Sequence, residues 1–381
     1  MAVTHMAGRN GRNGLVSLCA LVPYPRNTAP SQRYRLEQWL PHLEQRGISV
    51  DIVPFADQEL MDLLYRPGRR LMKGACNASA FFRRLREIGN ASKYDAVVIH
   101  RAACLGGPAV IERAISILGG RLIFDFDDAI YLLDTTEANR PFGWLKFPGK
   151  TATICRISQH VVVGNSYLAG YARQFNPSVT VIPTSVDTDR YYPAKRGGAA
   201  GRLVVGWMGS STSQRHLERF VPMLREMTAW PGVELRVVSD REPVLPEVPH
   251  VWRRWSAESE VSDLTQFDIG IMPMPDDQWS RGKCSLKALL YMAMGIPAVC
   301  SSVGANREII RHGENGLLAT TEGEWLANLK ALVDDPQLRE KLGRAGRHTV
   351  EEDYSMVRCA ERFAWVVRDT LAARGTRTCA E

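Results

Sequence analysis

The feature that most constrains this chain is an alternation of short apolar runs with segments of helical spacing. Examples of the apolar runs are LVSLCALV at 15–22, AVVIH at 96–100 and VVVGNS at 161–166. Apolar runs of about four to eight residues separated by helices predict a parallel sheet covered by helices on both faces. The alternation fills residues 15–193 and then starts again at residue 202. The sequence therefore predicts an α/β protein with two doubly wound, Rossmann-like domains.

The boundary between the two series is a Gly- and Ala-rich segment, AKRGGAAG, at 194–201. It has no periodicity and predicts a linker. We expect domains at 15–193 and 202–355 that face each other across a cleft, because ligands of such sheets bind at the carboxyl ends of the strands. The polar residues 1–14 predict a disordered lead-in, and residues 356–381 predict a C-terminal helix.

The composition narrows the class of protein. The 48 basic and 41 acidic residues give a net charge of +7, which favours phosphorylated ligands, nucleic acid or an anionic membrane surface without selecting one. No recognition motif for nucleic acid is visible. The eight cysteines show no metal-binding spacing and predict reduced thiols in a cytoplasmic protein. No apolar run is as long as a membrane span.

A basic segment at 61–86 stands apart from the sheet pattern. Its arginines and lysine alternate with Leu71, Met72, Phe81 and Phe82. One interpretation is a basic amphipathic element that contacts the inner face of a membrane or a lipid-linked substrate. The other is a solvated helical hairpin whose apolar side faces the sheet.

The second domain carries two candidate anion sites. The spacing of apolar residues predicts a helix with Lys283 just before it and Lys287 in its first turn, where a cation costs about 0.3–1 kcal/mol unless an anion is present. The run from Gly209 to Thr212 joins a strand to a helix, with Arg215 and His216 one turn further on. Solvated lysines and ordinary helix capping are the alternatives. Together the two sites suit a pyrophosphate.

The first domain offers acids. Asp125, Asp127 and Asp128 follow a strand, and three such close carboxylates must pair with cations, bind metal or share protons. A phosphotransferase with an aspartate nucleophile is one alternative. His100 and Arg101 follow another strand, and the spacing predicts one helix from Ser31 to Gly47.

A resemblance to a known family rests on motifs over most of the chain. From about Asp263 to Tyr354 the sequence resembles the C-terminal half of the group 1 (family 4) glycosyltransferases, which have the GT-B fold. The matching segments are MAMGIPAV at 292–299, VG at 303–304, EII at 308–310, GENGLL at 313–318, DDP at 334–336, and LG and AG at 342–343 and 345–346. The first domain is similar to a branch of that family through SQRYR at 31–35, FDFDD at 124–128, VGNSYL at 163–168 and IPT at 182–184.

The resemblance implies a sugar donor activated by a nucleoside diphosphate and bound by the second domain, an acceptor bound by the first, and no required metal or other cofactor. It also implies that the last helix crosses back onto the first domain. The family usually has two glutamates eight residues apart, and Gly282 and Leu290 occupy those positions here. The chain therefore looks like a divergent branch of the family.

The predicted site residues form three groups. The predicted catalytic residues are Asp127, Asp128 and His100. The predicted donor-binding residues are Gly209, Ser210, Ser211, Thr212, Arg215, Lys283, Ser285, Lys287 and Glu308. The predicted acceptor-side residues are Arg26, Ser31, Arg33, Arg35, Arg101 and Asn165.

The function expected from these features is transfer of a sugar, in the manner of a hexosyltransferase, from a UDP- or GDP-sugar to an acceptor hydroxyl. The acceptor would be a carbohydrate, a lipid-linked molecule or a small molecule, in the synthesis of a polysaccharide, glycolipid or glycoside. The alternative is a catalytically inactive GT-B protein that binds a partner or a sugar nucleotide.

Overall fold

The computed structural model describes residues 15–64, 69–89, 91–132, 147, 149–193 and 201–373. These residues form two compact units. The first takes in the described residues up to Pro183 and those from Cys359 onward, and the second runs from Thr184 to Arg358. The predicted lead-in at 1–14 and residues 194–200 of the predicted linker lie outside the described residues.

The first unit is built on a sheet of six parallel strands in the order β2-β1-β3-β4-β5-β6. The strands are β1 Val16–Val22, β2 Ile48–Pro54, β3 Ala96–His100, β4 Leu122–Phe126, β5 His160–Val163 and β6 Val179–Val181. Every residue of β3, β4 and β5 is buried. This burial on both faces explains why these strands read as unbroken apolar runs.

Helices cover this sheet. They are α1 Pro30–Arg35, α2 Leu40–Glu44, α3 Gln58–Leu64, α4 Arg70–Ile88, α5 Val110–Ile117, α6 Gly149–Ile157 and α7 Ser166–Ala172. The prediction of one helix from Ser31 to Gly47 is wrong: α1 ends at Arg35, and a 3₁₀ turn precedes α2. Pro41 has no N–H to donate and is tolerated only in the first turn of a helix, so a new helix begins just before it.

The last helix, α16 Met356–Ala372, belongs to the first unit from Cys359 onward, as the resemblance implied. Phe363 on this helix lies against Trp39, with 5.4 Å between the ring centroids. Arg368 donates a hydrogen bond to the Arg46 carbonyl at 2.9 Å. The C-terminal sequence is thus part of the core of the first unit.

The second unit repeats the architecture with six parallel strands in the order β12-β11-β10-β7-β8-β9. The strands are β7 Leu203–Met208, β8 Val233–Ser239, β9 His250–Arg254, β10 Ile269–Met272, β11 Ala298–Ser301 and β12 Leu317–Ala319. The helices are α8 Ser211–Glu218, α9 Val221–Thr228, α10 Glu260–Leu264, α11 Gln278–Arg281, α12 Leu286–Ala293, α13 Asn306–Ile309, α14 Glu322–Asp334 and α15 Pro336–Thr349. Its core includes Trp207, Ile271 and Val299, so one apolar layer joins β7, β10 and β11.

The start of α12 matches the sequence pattern closely. Lys283 precedes the helix, Lys287 lies in its first turn, and Gly295 follows its end with a φ of 66°. Ser285 at the N-cap position has a φ of 57°, the left-handed conformation that a residue with a side chain adopts only at a cost. The chain therefore makes a tight turn directly before the helix that carries Lys287.

Two further properties concern the described part of the chain. Its cysteines are free thiols, and all but Cys76 are buried. Across the described ranges, none of the helices combines the length and the apolar character that crossing a bilayer requires.

Candidate active site

A cluster of paired charges lies at the carboxyl ends of β3 and β4 in the first unit. His100 and Asp125 are directly opposite each other in the register of these strands. His100 Nδ1 lies 2.7 Å from Asp125 Oδ2, and Arg35 Nη2 lies 2.5 Å from Asp125 Oδ1. Burial alone would raise the pKa of Asp125, but Arg35 and His100 outweigh it and lower that pKa to about 2. Asp125 is therefore an ionised carboxylate between two donors.

The other two carboxylates of this cluster share Arg101. Arg101 Nη2 lies 2.8 Å from Asp128 Oδ2, and Arg101 Nε lies 3.9 Å from Asp127 Oδ1. Burial would raise the pKa of Asp127, but the positive charges of Arg101, His100 and Arg35 lower it. Each of the three aspartates thus has a basic partner. Of the three arrangements expected from the sequence, which were pairing with cations, metal binding and shared protons, the structure has the first.

Ser31 connects the two halves of the cluster. Its Oγ lies 3.0 Å from His100 Nε2, and its hydroxyl also hydrogen-bonds to Asp127. A carboxylate only accepts, so Ser31 gives its one proton to Asp127 and accepts from His100 Nε2. Asp125 Oδ2 contacts the other ring nitrogen, Nδ1, so His100 bridges Ser31 and Asp125.

The remaining predicted acceptor-side residues have separate roles. Arg33 donates to the Tyr34 hydroxyl at 2.7 Å, and its guanidinium lies 4.5 Å from the centre of that ring. Buried Asn165 caps α7 by accepting from the Leu168 N–H at 2.9 Å. Arg26 is exposed in the loop after β1. Arg35 is fully buried and also donates to the Ile182 carbonyl at 2.6 Å. The contacts of Arg33, Arg35 and Asn165 hold the local structure together.

The second unit brings Gly209 and Lys287 together. A Cβ placed on Gly209 would lie 2.6 Å from Lys287 Cε, so a side chain at position 209 would displace the lysine. Lys287 Nζ lies 5.3 Å from the centre of the Trp207 ring, a cation–π contact. Gly209 follows β7 and Lys287 begins α12, so the two predicted anion sites are one place in the fold.

Several basic side chains surround this place. Burial and the charge of Lys283 lower the pKa of Lys287 to about 7. His216 is buried on α8, and burial together with Lys283, Lys287 and Arg215 lowers its pKa to about 4. Within the described chain, His216 Nδ1 has no hydrogen-bond partner. Basic side chains whose charged forms disfavour one another indicate a site that is completed by an anion.

The N-terminus of α8 has a carboxylate of its own. Asp240, which follows β8, accepts from the Ser211 N–H at 2.6 Å and from the Ser211 hydroxyl at 2.8 Å. The hydroxyls of Ser210 and Thr212 lie 2.8 Å apart. The sequence pattern did not single out Asp240, because it is distant in the chain and belongs to no motif. Arg215 is exposed on this helix, whereas His216 occupies its buried face.

The residues in place of the usual glutamates are buried. Gly282 is buried before α12, and Leu290 packs inside it. Ser285 donates to Asn306 Oδ1 at 2.6 Å, and Asn306 donates to the Ser301 carbonyl at 2.8 Å. This chain of hydrogen bonds fixes the turn before Lys287. Glu308 is exposed on α13.

The second unit, which contains Gly209 and Lys287, is similar to known proteins. Residues 202–335 match the family model described as Glycosyl transferases group 1. Among curated proteins, D-inositol 3-phosphate glycosyltransferase of Thermobispora bispora is 26% identical over 49% of this chain and 47% of its own length. MMP alpha-(1->4)-mannosyltransferase of Mycolicibacterium hassiacum is 25% identical over 50% of this chain and 48% of its own. The chain thus spans about half the length of the curated relatives it matches.

Among solved structures, sucrose-phosphate synthase from Thermosynechococcus elongatus aligns with a TM-score of 0.70 at 14% identity, over 94% of this chain and 100% of that one. Anabaena HepE in complex with UDP and glucose aligns with a TM-score of 0.65 at 13% identity, over 93% of this chain and 100% of that one. These likenesses and the two parallel sheets define the GT-B fold. Residues 202–335 therefore match the family that the sequence motifs predicted.

Proposed function

We propose that the protein transfers a sugar from a nucleoside-diphosphate sugar to an acceptor hydroxyl. The observation that carries this proposal is the contact between Gly209 and Lys287. It places a cation beside the end of β7 and the start of α12 in the domain that matches the family model. HepE, a protein of similar fold, was crystallised with UDP and glucose, which supports a donor of this chemistry.

In the second unit, the diphosphate would lie among Lys287, Lys283 and His216. As the bond between the sugar and the diphosphate breaks, its electron pair stays with the diphosphate and negative charge grows there. Preorganised cations stabilise such charge most where they are shielded from water. We propose that these side chains serve this purpose without a metal, with Ser285 holding the turn, Gly209–Thr212 lining the site, and Arg215 and Glu308 contacting the donor from exposed positions.

In the first unit, Asp127 is the proposed base. The acceptor oxygen forms the new bond to the sugar carbon, and its proton passes to the Asp127 carboxylate. The low pKa of Asp127 keeps that carboxylate ionised, while Ser31 and His100 orient it. Arg101 and Asp128 form the polar rim of the same cluster. The acceptor would be a carbohydrate, a lipid-linked molecule or a small molecule.

A catalytically inactive protein that binds a sugar nucleotide is the second candidate. It is favoured by Gly282 and Leu290, which stand where the family usually has two carboxylates. The two candidates share the donor site and differ only in turnover.

The test is a panel of UDP-, GDP-, ADP- and dTDP-sugars. Because a ligand that binds only the native state raises its stability, at least one donor is expected to increase the melting temperature. The same donor should then release nucleoside diphosphate above the blank rate with a mixed pool of carbohydrate and lipid acceptors. No stabilisation by any member would contradict the donor site, whereas stabilisation without release would favour the inactive protein.

A further inference from the structure

The longest helix of the first unit turns its apolar side outward. On α4, Leu71, Ala75, Ala78, Phe82 and Leu85 follow one another at intervals of three and four residues, so they share one face. All five are exposed, with Leu71 at 93% and Phe82 at 62%. We call these five residues the outer stripe. Of the two interpretations of this segment, the hairpin with its apolar side toward the sheet does not account for these exposed residues, although Ala80 and Ile88 of the same helix are buried.

The orientation of α4 is set by a buried arginine. Arg84 is 1% exposed and donates to the carbonyls of Val22, Val53 and Ala103 at 3.3, 3.1 and 3.1 Å. It also pairs with Glu87 at 2.9 Å. A buried guanidinium needs most of its donors satisfied, and these carbonyls lie at or just past the carboxyl ends of β1, β2 and β3. Turning the outer stripe inward would break all of these bonds.

The charge of α4 is strongly one-sided. The helix has five basic residues, and its one acidic residue, Glu87, is bound to Arg84. Arg86 is exposed and borders the outer stripe, whereas Arg83 pairs with Asp57 at 3.0 Å. An apolar face with a basic border is the pattern of a helix that lies in the surface of an anionic bilayer.

We propose that α4 docks the first unit onto an anionic membrane surface through the outer stripe. The 19-residue helix is about 28 Å long and lies flat in this arrangement, with its stripe among the acyl chains and Arg86 at the headgroups. A second copy of this chain fits less well, because a two-fold contact through the stripe would bring Arg86 of both copies together. Docking does not depend on sugar transfer.

Docking would also bring the acid cluster near the membrane. Ala103, whose carbonyl binds Arg84, follows Arg101 by two residues in the chain. The helix is therefore fastened to the same edge of the sheet that carries His100 and Asp127. A lipid-linked acceptor is the class of acceptor that this placement favours.

The experiment is flotation of the full-length protein with vesicles of phosphatidylcholine alone or with about one third phosphatidylglycerol. The wild type is expected to bind the anionic vesicles more tightly than the neutral ones. Leu71→Ser combined with Phe82→Ser should weaken binding to the anionic vesicles by about tenfold or more, since both apolar side chains leave the bilayer. Arg86→Glu should weaken binding to the anionic vesicles only.

A matched control comes from α5 and the residue that follows it. Ile117 is 84% exposed and Leu118 is 69% exposed, so Ile117→Ser with Leu118→Ser removes similar apolar surface elsewhere on the unit. It should leave binding within about twofold of the wild type. Thermal unfolding and donor binding should be unchanged in both double variants, which separates this proposal from the proposed function.

The proposal is overturned if the wild type does not float with anionic vesicles, or if it binds neutral vesicles equally well. It is also overturned if the outer-stripe variant binds like the wild type, or if light scattering shows a wild-type dimer that this variant dissociates.

Discussion

The two charged clusters of this protein are built in opposite ways. In the first unit, each carboxylate has a cation beside it, and Asp125 lies between Arg35 and His100. In the second unit, burial lowers the pKa of both Lys287 and His216, and the charges of neighbouring basic residues lower it further. The carboxylates of the first cluster thus have basic partners within the described residues, whereas the second cluster indicates a ligand that supplies negative charge.

This difference distinguishes structural charges from binding charges. In a buried ion pair each charge compensates the other, so removing one partner strongly destabilises the folded protein. A group of basic side chains whose charged forms repel one another is held partly uncharged in the free protein and becomes charged more readily when an anion binds. Three variants test this difference, and they are given in order of decreasing expected effect.

Arg35→Met should destabilise the protein by about 3–5 kcal/mol, because it leaves Asp125 buried without its main cation. Chemical denaturation monitored by circular dichroism measures this change. The folded pKa of Asp125 is about 2, below the value of about 3.9 in an unfolded chain, so its contribution is complete above about pH 4 and is lost as the pH falls through 2. The difference between wild type and variant should therefore shrink over that interval.

The matched control for this variant is Arg83→Met. Arg83 pairs with Asp57 at 3.0 Å, but both side chains are about half exposed, so the change should cost less than about 1 kcal/mol. Equal losses of stability in the two variants would show that the Asp125 cluster is not a buried structural unit.

Asp127→Asn should lower the rate of sugar transfer by about 100-fold or more, because the amide cannot accept the acceptor's proton. Release of nucleoside diphosphate measures the rate, and calorimetry should show unchanged donor affinity. Asp57→Asn, at an exposed carboxylate of the same unit, is the control and should be silent. A normal rate with Asn at position 127 would remove Asp127 from the chemistry.

Lys287→Ala should weaken the binding of a nucleoside diphosphate by about 1–3 kcal/mol, the value of a charge-assisted contact. Calorimetry with UDP and GDP measures this loss. Lys341→Ala removes an exposed lysine of the same unit and should change nothing. Unchanged affinity in Lys287→Ala would exclude this lysine from the donor site.

The lowered pKa of Lys287 also predicts how nucleotide affinity changes with pH. The pKa of Lys287 in the free protein is about 7, and a bound anion raises it. Nucleotide affinity should therefore fall as the pH rises above 7, and binding should take up protons. Ionisation of the ligand does not cause this dependence, because the second pKa of a phosphate monoester is about 6 and its charge is already complete above pH 7. The dependence should vanish in Lys287→Ala, and its persistence would assign it to another group.

Much of the fold followed from local patterns. Apolar runs gave the strands, Gly295 ended α12, and the positions of Lys283 and Lys287 at its start were readable directly. The single helix predicted from Ser31 failed at Pro41, where local chemistry outweighed periodicity. Asp240 was not found from the sequence, since its importance depends on its contact with Ser211, which is distant in the chain.

The orientation of α4 shows the same limit most clearly. Periodicity places the outer stripe on one face of the helix but does not say which way that face points. The direction is set by Arg84, which donates to three backbone carbonyls at or just past the ends of strands and so holds the opposite face of the helix inward.

The sequence by itself determined the two parallel sheets and the presence of basic and acidic clusters, because these depend on residue types and spacing along the chain. Only the tertiary structure decided which charges cancel and which remain for a ligand. That outcome depends on distances between residues far apart in sequence, such as Arg35 and Asp125 or Gly209 and Lys287.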